Sequence, residues 1–423
     1  MNSARNVGPS QNVSGTSPPS RGVKIAAIAV LSIVVPLLFL LLVEAVIRLA
    51  GFNTELISMP GQQIQIPVWA SQDQNFFIAQ DVYQQIKDNT LPAEAAEWLG
   101  CFRVARHVQY KLKPDSRFRV SNTVNRKELQ SGLRVVIESN REGFRTRNLS
   151  KAKEPGVYRI LFLGDSTTFG WGVEQDERFS DLLEKRLNAG GSGIHYEIVN
   201  LGLPGYSSYH GRIILDRYGL RYSPDMVILS FGANDSHVVP KAVKRMIQRP
   251  TWKEKAAVVL SGLKMVRLLQ KILIARRNPM ERFRAMRKAE GSEAFVTLDE
   301  FRANLKAIIE TDRRKGIETV IMPLCCPLDY LAVQSALAQR ENVRVIDGTF
   351  VLRDTIQAVQ QGQREPALAR HYEELYGMDL LRSRRLLYVT SDTCHPNILG
   401  HRILADALFD RIFRERLGRR YSP

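Results

Sequence analysis

Residues 158–173, YRILFLGDSTTFGWGV, decide how this chain is read. An apolar run, Ile160 to Leu163, has the look of a buried strand. It empties directly into Gly164-Asp165-Ser166, where glycine and polar residues replace it. In open parallel sheets, ligands bind beyond the carboxyl ends of the strands. A serine at that position is either a turn and helix cap or a nucleophile, and GDS alone does not choose between them.

Outward from this stretch the pattern repeats. HYEIVNLG (195–202), DMVILSFG (225–232), TVIMPL (319–324) and VRVIDG (343–348) are short apolar runs with β-branched residues. Helical stretches separate them, such as DERFSDLLEKRL (176–187) and LDEFRANLKAIIETDRRKG (298–316). Strands alternating with helices predict an α/β domain with a parallel sheet covered on both faces. The stretch 397–417 closes it as an amphipathic helix, with Ile403, Leu404, Ala407, Leu408 and Ile412 spaced by three and four. We expect this domain over 154–423.

Ahead of it, residues 50–153 read as a mixed α/β lead-in. VQYKLKPDSRFRV and LRVVIES alternate like short strands, and WASQDQNFFIAQDVYQQIKDNT carries a helical pattern. Residues 1–22 are rich in Ser, Gly, Pro and Asn and predict a disordered tail, cytoplasmic on the orientation below. Residues 25–43 run 19 long without a charge, so 23–49 is expected to be an uncleaved transmembrane anchor. A signal peptide would have a shorter apolar region and a small-residue cleavage site after it. Arg5, Arg21 and Lys24 precede the span and only Arg48 follows closely. That bias places the N-terminus in the cytoplasm and the rest in the periplasm or at the cell surface.

Charge is unevenly spread. The chain has 60 Lys and Arg against 43 Asp and Glu. Residues 236–290 alone hold 15 Lys and Arg against 3 Asp and Glu, which marks a basic helical insertion at about 236–292. Lys264, Arg267 and Lys271 fall on one helix face, as in a helix lying on a membrane surface. A packed insertion with a solvated face accounts for the charge equally well. The anchor, the outward orientation and the absence of a recognition motif argue against nucleic acid. The four cysteines, Cys101, Cys325, Cys326 and Cys394, show no metal spacing; burial as small apolar side chains is the expectation for each, although an oxidising compartment would permit a disulfide.

The chemistry gathers at strand ends. VNLGLPGYSS brings Gly205 after the second strand, SFGANDSH brings Gly232, Asn234 and Asp235 after the third, and SDTCHPN puts Asp392 three residues before His395. A serine hydroxyl needs a base to take its proton, and His395 supplies one. Asp392 can hold the imidazole tautomer. The Ser166 N–H, the Gly205 N–H and the Asn234 amide can receive a developing oxyanion. Gly202 is a rival to Gly205. Asp165 reads as a structural hydrogen-bonder, and His237 and His401 as solvent-facing or packing residues. Tyr330, Trp171 and the LCCPLD loop are candidates for an acyl pocket or for ordinary packing.

GDS at 164–166, the glycine in LPGYSS, GAND at 232–235 and DTCH at 392–395 together resemble the four ordered blocks of the SGNH (GDSL-type) hydrolases. EGFRTRN (142–148) resembles the lead-in of membrane-anchored bacterial members. The resemblance covers roughly 158–417 apart from the insertion. It implies a flavodoxin-like α/β/α sandwich and ester or acyl-group chemistry without metal or cofactor. It also implies Ser166 as nucleophile, Asp392 and His395 as its partners, and Gly205 and Asn234 as oxyanion donors. The fourth residue of the first block is Thr167, which is not a chemical position. The expected activity is a membrane-anchored extracytoplasmic serine esterase acting on an acylated glycan, a lipid or a small ester. An O-acyltransferase using the same site and a non-enzymatic scaffold are the alternatives. Other serine-hydrolase folds need a G-x-S-x-G elbow, which Ser166 lacks.

Overall fold

The structure, a computed structural model, describes residues 21–52, 54, 56–58, 65–67, 98–105, 107–121, 134–190, 193–275, 279–376, 386–389 and 394–414. The N-terminal apolar stretch is one helix, α1 (Arg21–Leu49), with Pro36 inside it. Val30–Leu49 has a mean hydropathy of 2.9, which suits a membrane span or a signal sequence. The expected tail (1–20) and the helix expected within 69–90 lie outside the described residues.

Four short antiparallel ladders frame the main sheet. Strand β1 (Leu56–Ser58) pairs with β2 (Gln65–Pro67). In the lead-in, β3 (Phe102–Val104) pairs with β4 (Tyr110–Leu112), and β5 (Arg117–Ser121) with β6 (Arg134–Glu138). The strands expected in VQYKLKPDSRFRV and LRVVIES are present.

The main domain then runs β7 (Val157–Gly164), α2 (Ser166–Phe169), α3 (Phe179–Ala189), β8 (His195–Asn200), α4 (Ser208–Arg217) and β9 (Met226–Ser230). An insertion follows: β10 (Val238–Pro240), α5 (Lys241–Gln248), α6 (Trp252–Leu260), α7 (Lys264–Ala275), α8 (Pro279–Glu290) and β11 (Ser292–Ala294). Strands β10 and β11 pair antiparallel, the fourth ladder, so the basic segment enters and leaves through a two-stranded clasp. The domain resumes with α9 (Leu298–Arg314), β12 (Glu318–Ile321), α10 (Leu328–Glu341), β13 (Arg344–Val345), α11 (Gly348–Gln360), α12 (Pro366–Tyr376) and α13 (Ile398–Leu408).

The five strands form one parallel sheet in the order β13-β12-β9-β7-β8. Numbered within the domain this is 2-1-3-4-5, the flavodoxin-like order. Side chains alternate across the strands. Ile160, Phe162, Met226 and Ile228 pack into one core, while Leu161, Leu163, Val227 and Leu229 pack into the other. Burial on both faces explains why the central strands read as continuous apolar runs rather than alternating ones. The chain reverses its direction of winding between β7 and β9, and that crevice is where such sheets bind ligands. Ser166 directly follows β7, and Gly232 to Asp235 follow β9.

Candidate active site

The turn after β7 is tight because Gly164 permits it. A Cβ there would meet the Thr168 side chain and the Ser230 carbonyl. Asp165 then caps the four-residue helix α2, accepting from the Thr167 N–H and the Thr167 hydroxyl at 2.8 Å each. Its expected structural role is what the structure shows. Burial raises the Asp165 pKa, against the pull of the Thr167 donors and His395. Every residue from Leu161 to Gly170 is buried except Ser166. The fold therefore presents one side chain from this turn, the serine.

His395 meets it. The Ser166 Oγ is 2.8 Å from His395 Nε2, although 229 positions separate them in sequence. Asp392 lies outside the described residues. The His395 loop is held on both sides. The His395 carbonyl accepts from the Val389 N–H at 2.8 Å, and the Asn397 N–H donates to the Leu387 carbonyl at 2.9 Å. The Asn397 side chain donates to the Leu386 carbonyl and accepts from Gly400, capping α13. Next to the histidine, Cys394 is disulfide-bonded to Cys325, in the loop after β12. This corrects the expectation that each cysteine would be a small buried side chain. The sheet edge brings two distant loops together, which spacing along the chain cannot reveal. Cys101 and Cys326 are not disulfide-bonded; burial pushes the Cys326 thiol up to about 12, far from a reactive thiolate.

The second block supplies a backbone donor. Gly205 has φ +76°, a left-handed conformation natural to glycine, and the Tyr110 hydroxyl occupies the space beside its Cα. Its N–H has no acceptor among the described residues. The Gly202 N–H is taken by the Asn200 side chain at 3.0 Å, and Gly202 is buried. Of the two glycines, only Gly205 keeps a donor open.

Asn234 bridges the first two blocks. Its Nδ2 donates to the Tyr206 carbonyl at 3.0 Å and reaches Asp165 Oδ2 at 3.4 Å. The sequence places Asp235 at this strand end without giving it a role. It is fully buried and accepts from the Gly232 N–H at 3.0 Å and from the Ser208 N–H and hydroxyl. It thereby ties the third block to the start of α4. Burial pushes its carboxyl up to about 7 despite these donors.

The lead-in completes the support. The Tyr110 hydroxyl donates to the Pro204 carbonyl and the Tyr206 hydroxyl to the Tyr110 carbonyl. His210 Nδ1 accepts from the Ser207 N–H at 3.1 Å, and its Nε2 bonds Gln109 Oε1 at 2.8 Å. Arg145, in EGFRTRN, is fully buried and donates to the carbonyls of Gly170, Val173 and Val136, each at 2.8 Å. A guanidinium thus ties two carbonyls just past the serine helix to one in β6. None of these supporting residues was singled out from sequence. Tyr330 and Trp171 both make packing contacts. The Tyr330 hydroxyl is committed to the Val296 carbonyl at 2.6 Å, and Trp171 packs edge-on to Trp98. His401 is also a packing residue, fully buried against Phe179, while His237 is exposed.

Residues 162–403 match the family model described as the GDSL-like Lipase/Acylhydrolase family. Curated protein sequences gave no match. Among solved structures, the chain is similar to the psychrotrophic esterase EstA from Pseudoalteromonas sp., at 16% identity over 62% of this chain and 98% of that one, with a TM-score of 0.36. It is also similar to Axe2, an acetylxylan esterase from Geobacillus stearothermophilus, at 18% identity over 60% and 94%, with a TM-score of 0.34. With the match spanning more than half of its length, this chain belongs to the GDSL-like lipase/acylhydrolase family and is a hydrolase of ester bonds.

Proposed function

We propose that the chain is a membrane-anchored, extracytoplasmic serine esterase that works through an acyl-enzyme on Ser166. The observation that carries this is the 2.8 Å contact between Ser166 Oγ and His395 Nε2 at the switch point of the sheet. In the reactive tautomer the hydroxyl donates to Nε2. As Oγ attacks the ester carbonyl carbon, its proton passes to Nε2 and the carbonyl oxygen becomes an oxyanion. The N–H groups of Ser166 and Gly205 receive that charge. The Asn234 amide joins them by giving up its longer contact to Asp165. Collapse expels the alcohol, which takes the proton from His395. Water then repeats the sequence on the acyl group, with His395 as base. Asp392 is assigned the role of holding Nδ1–H, on its position three residues before His395.

The anchoring reading rests on the apolar length of α1, on the basic residues ahead of it, and on the Cys325–Cys394 disulfide, a bond that persists in oxidising compartments. A fluorophosphonate probe tests the chemistry. The full-length protein should be labelled and Ser166→Ala should not; equal labelling of both would remove Ser166 from the nucleophile's role.

A further inference from the structure

The insertion is fastened to the end of the apolar helix by one carboxylate. Glu44, 7% exposed, accepts from the N–H groups of Lys264 and Met265 at 2.9 Å each. It thereby caps the first turn of α7, two of whose N–H groups would otherwise be unpaired. Arg48, one turn on, donates to the same carboxylate at 2.7 Å. Helix α7 packs along α1 and against β1, and Ile47 is buried in that contact region. Since the uncharged part of α1 ends at Val43, α7 begins at the level where a bilayer's hydrocarbon gives way to headgroups.

Helices α6 and α7, joined by the short turn 261–263, both keep unburied apolar side chains. On α7, Leu269, Ile272 and Leu273 are spaced by three and four, and each is about half exposed. On α6, Trp252 is 75% exposed, and Val259, two turns further on the same face, is exposed with Leu260. Lys253 and Lys255 stand exposed beside them. Tryptophan and lysine at the edge of an apolar face are what a lipid–water interface selects. The three-cation face expected from sequence is partly spent internally. Arg267 donates to the Ser261 carbonyl at 2.8 Å and to Gly262, closing the turn between the two helices.

We propose that the α6–α7 segment is a membrane-interface platform, with Trp252, Val259, Leu260, Leu269, Ile272 and Leu273 entering the headgroup layer of the bilayer that α1 spans. The proposal rests on the anchoring reading above and adds a second, peripheral contact that fixes the catalytic domain against the lipid.

The test uses full-length protein in phosphatidylcholine nanodiscs with lipid carrying a nitroxide near the top of the acyl chain. The difference between wild type and Trp252→Phe isolates the Trp252 emission from the other three tryptophans. That component should lose at least half its intensity, and Leu269→Ser/Ile272→Ser/Leu273→Ser should restore most of it. Alkaline carbonate extraction is run in parallel. If carbonate releases the chain, the anchoring reading fails and the platform with it. If the chain stays in the membrane and Trp252 is unquenched, the platform alone is wrong, and the apolar face serves a protein partner or packs elsewhere.

Discussion

His210 shows how one buried side chain can report on the whole support of the site. It is stacked on Tyr206 with ring centroids 4.6 Å apart, accepts at Nδ1 and donates at Nε2. Protonation would point a second N–H at the Ser207 donor in a fully buried site. Burial accordingly pushes the imidazole down to about 3 from the usual 6.5. The folded pKa is depressed, so the associated stability is present above pH 6.5 and is lost as pH falls toward 3. In denaturant unfolding, the cost of His210→Gln measured at pH 7 should shrink by about 2 kcal/mol at pH 5. A cost independent of pH would mean the ring is hydrated and titrates normally. Ser166, Gly205, Asn234 and His395 were legible as candidates because the proposed chemistry restricts residue type and order. His210 and Arg145 were not. Their partners are a side chain 101 positions away and a set of backbone carbonyls, and neither leaves a local pattern.

The His395 loop is an element with little regular structure of its own, held by the Leu386–Val389 contacts, the α13 cap and the Cys325–Cys394 bond. That bond closes a separation of 69 positions, worth about 4 kcal/mol by the chain-entropy argument. Its larger effect should be on catalysis, because it seats the residue next to His395, the proposed base. Cys325→Ser/Cys394→Ser is expected to lower kcat roughly tenfold or more with KM little changed, as loss of alignment between base and nucleophile does. Unaltered kcat in the reduced or substituted enzyme would show that the backbone contacts suffice. The strands and helices of the main domain were readable from periodicity, because burial on both faces writes itself into the sequence. The insertion was readable as excess charge. Its β10–β11 clasp was not, since two three-residue strands carry too short an alternation to register.

At the scale of the molecule, the alternation of strands and helices led to the doubly covered sheet and the switch-point location of Ser166. The docking of the lead-in did not follow from it. That docking depends on Tyr110, Gln109 and Arg145 reaching loops that only the folded sheet assembles. Orientation in the membrane is the reading most open to experiment. A phosphatase joined after Pro423 should be active only outside the cytoplasm. Activity confined to the cytoplasm would reverse the topology and remove envelope substrates from consideration.

The Glu44 cap has a consequence for how such an enzyme would count its substrate. A catalytic domain on a slack leash sweeps a volume, and its rate follows the bulk concentration of ester. Glu44 instead fastens the end of the anchor to α7, within the insertion whose β10–β11 clasp follows the strand end that carries Asn234. On the proposed anchoring, the range of heights the serine reaches above the bilayer is then narrowed. Esters displayed within that range are met at the effective concentration of a tethered pair, and those outside it are scarcely met. Turnover would therefore scale with the number of ester groups per area of membrane. Lengthening the junction between α1 and the lead-in would leave chemistry intact and blur that discrimination by height.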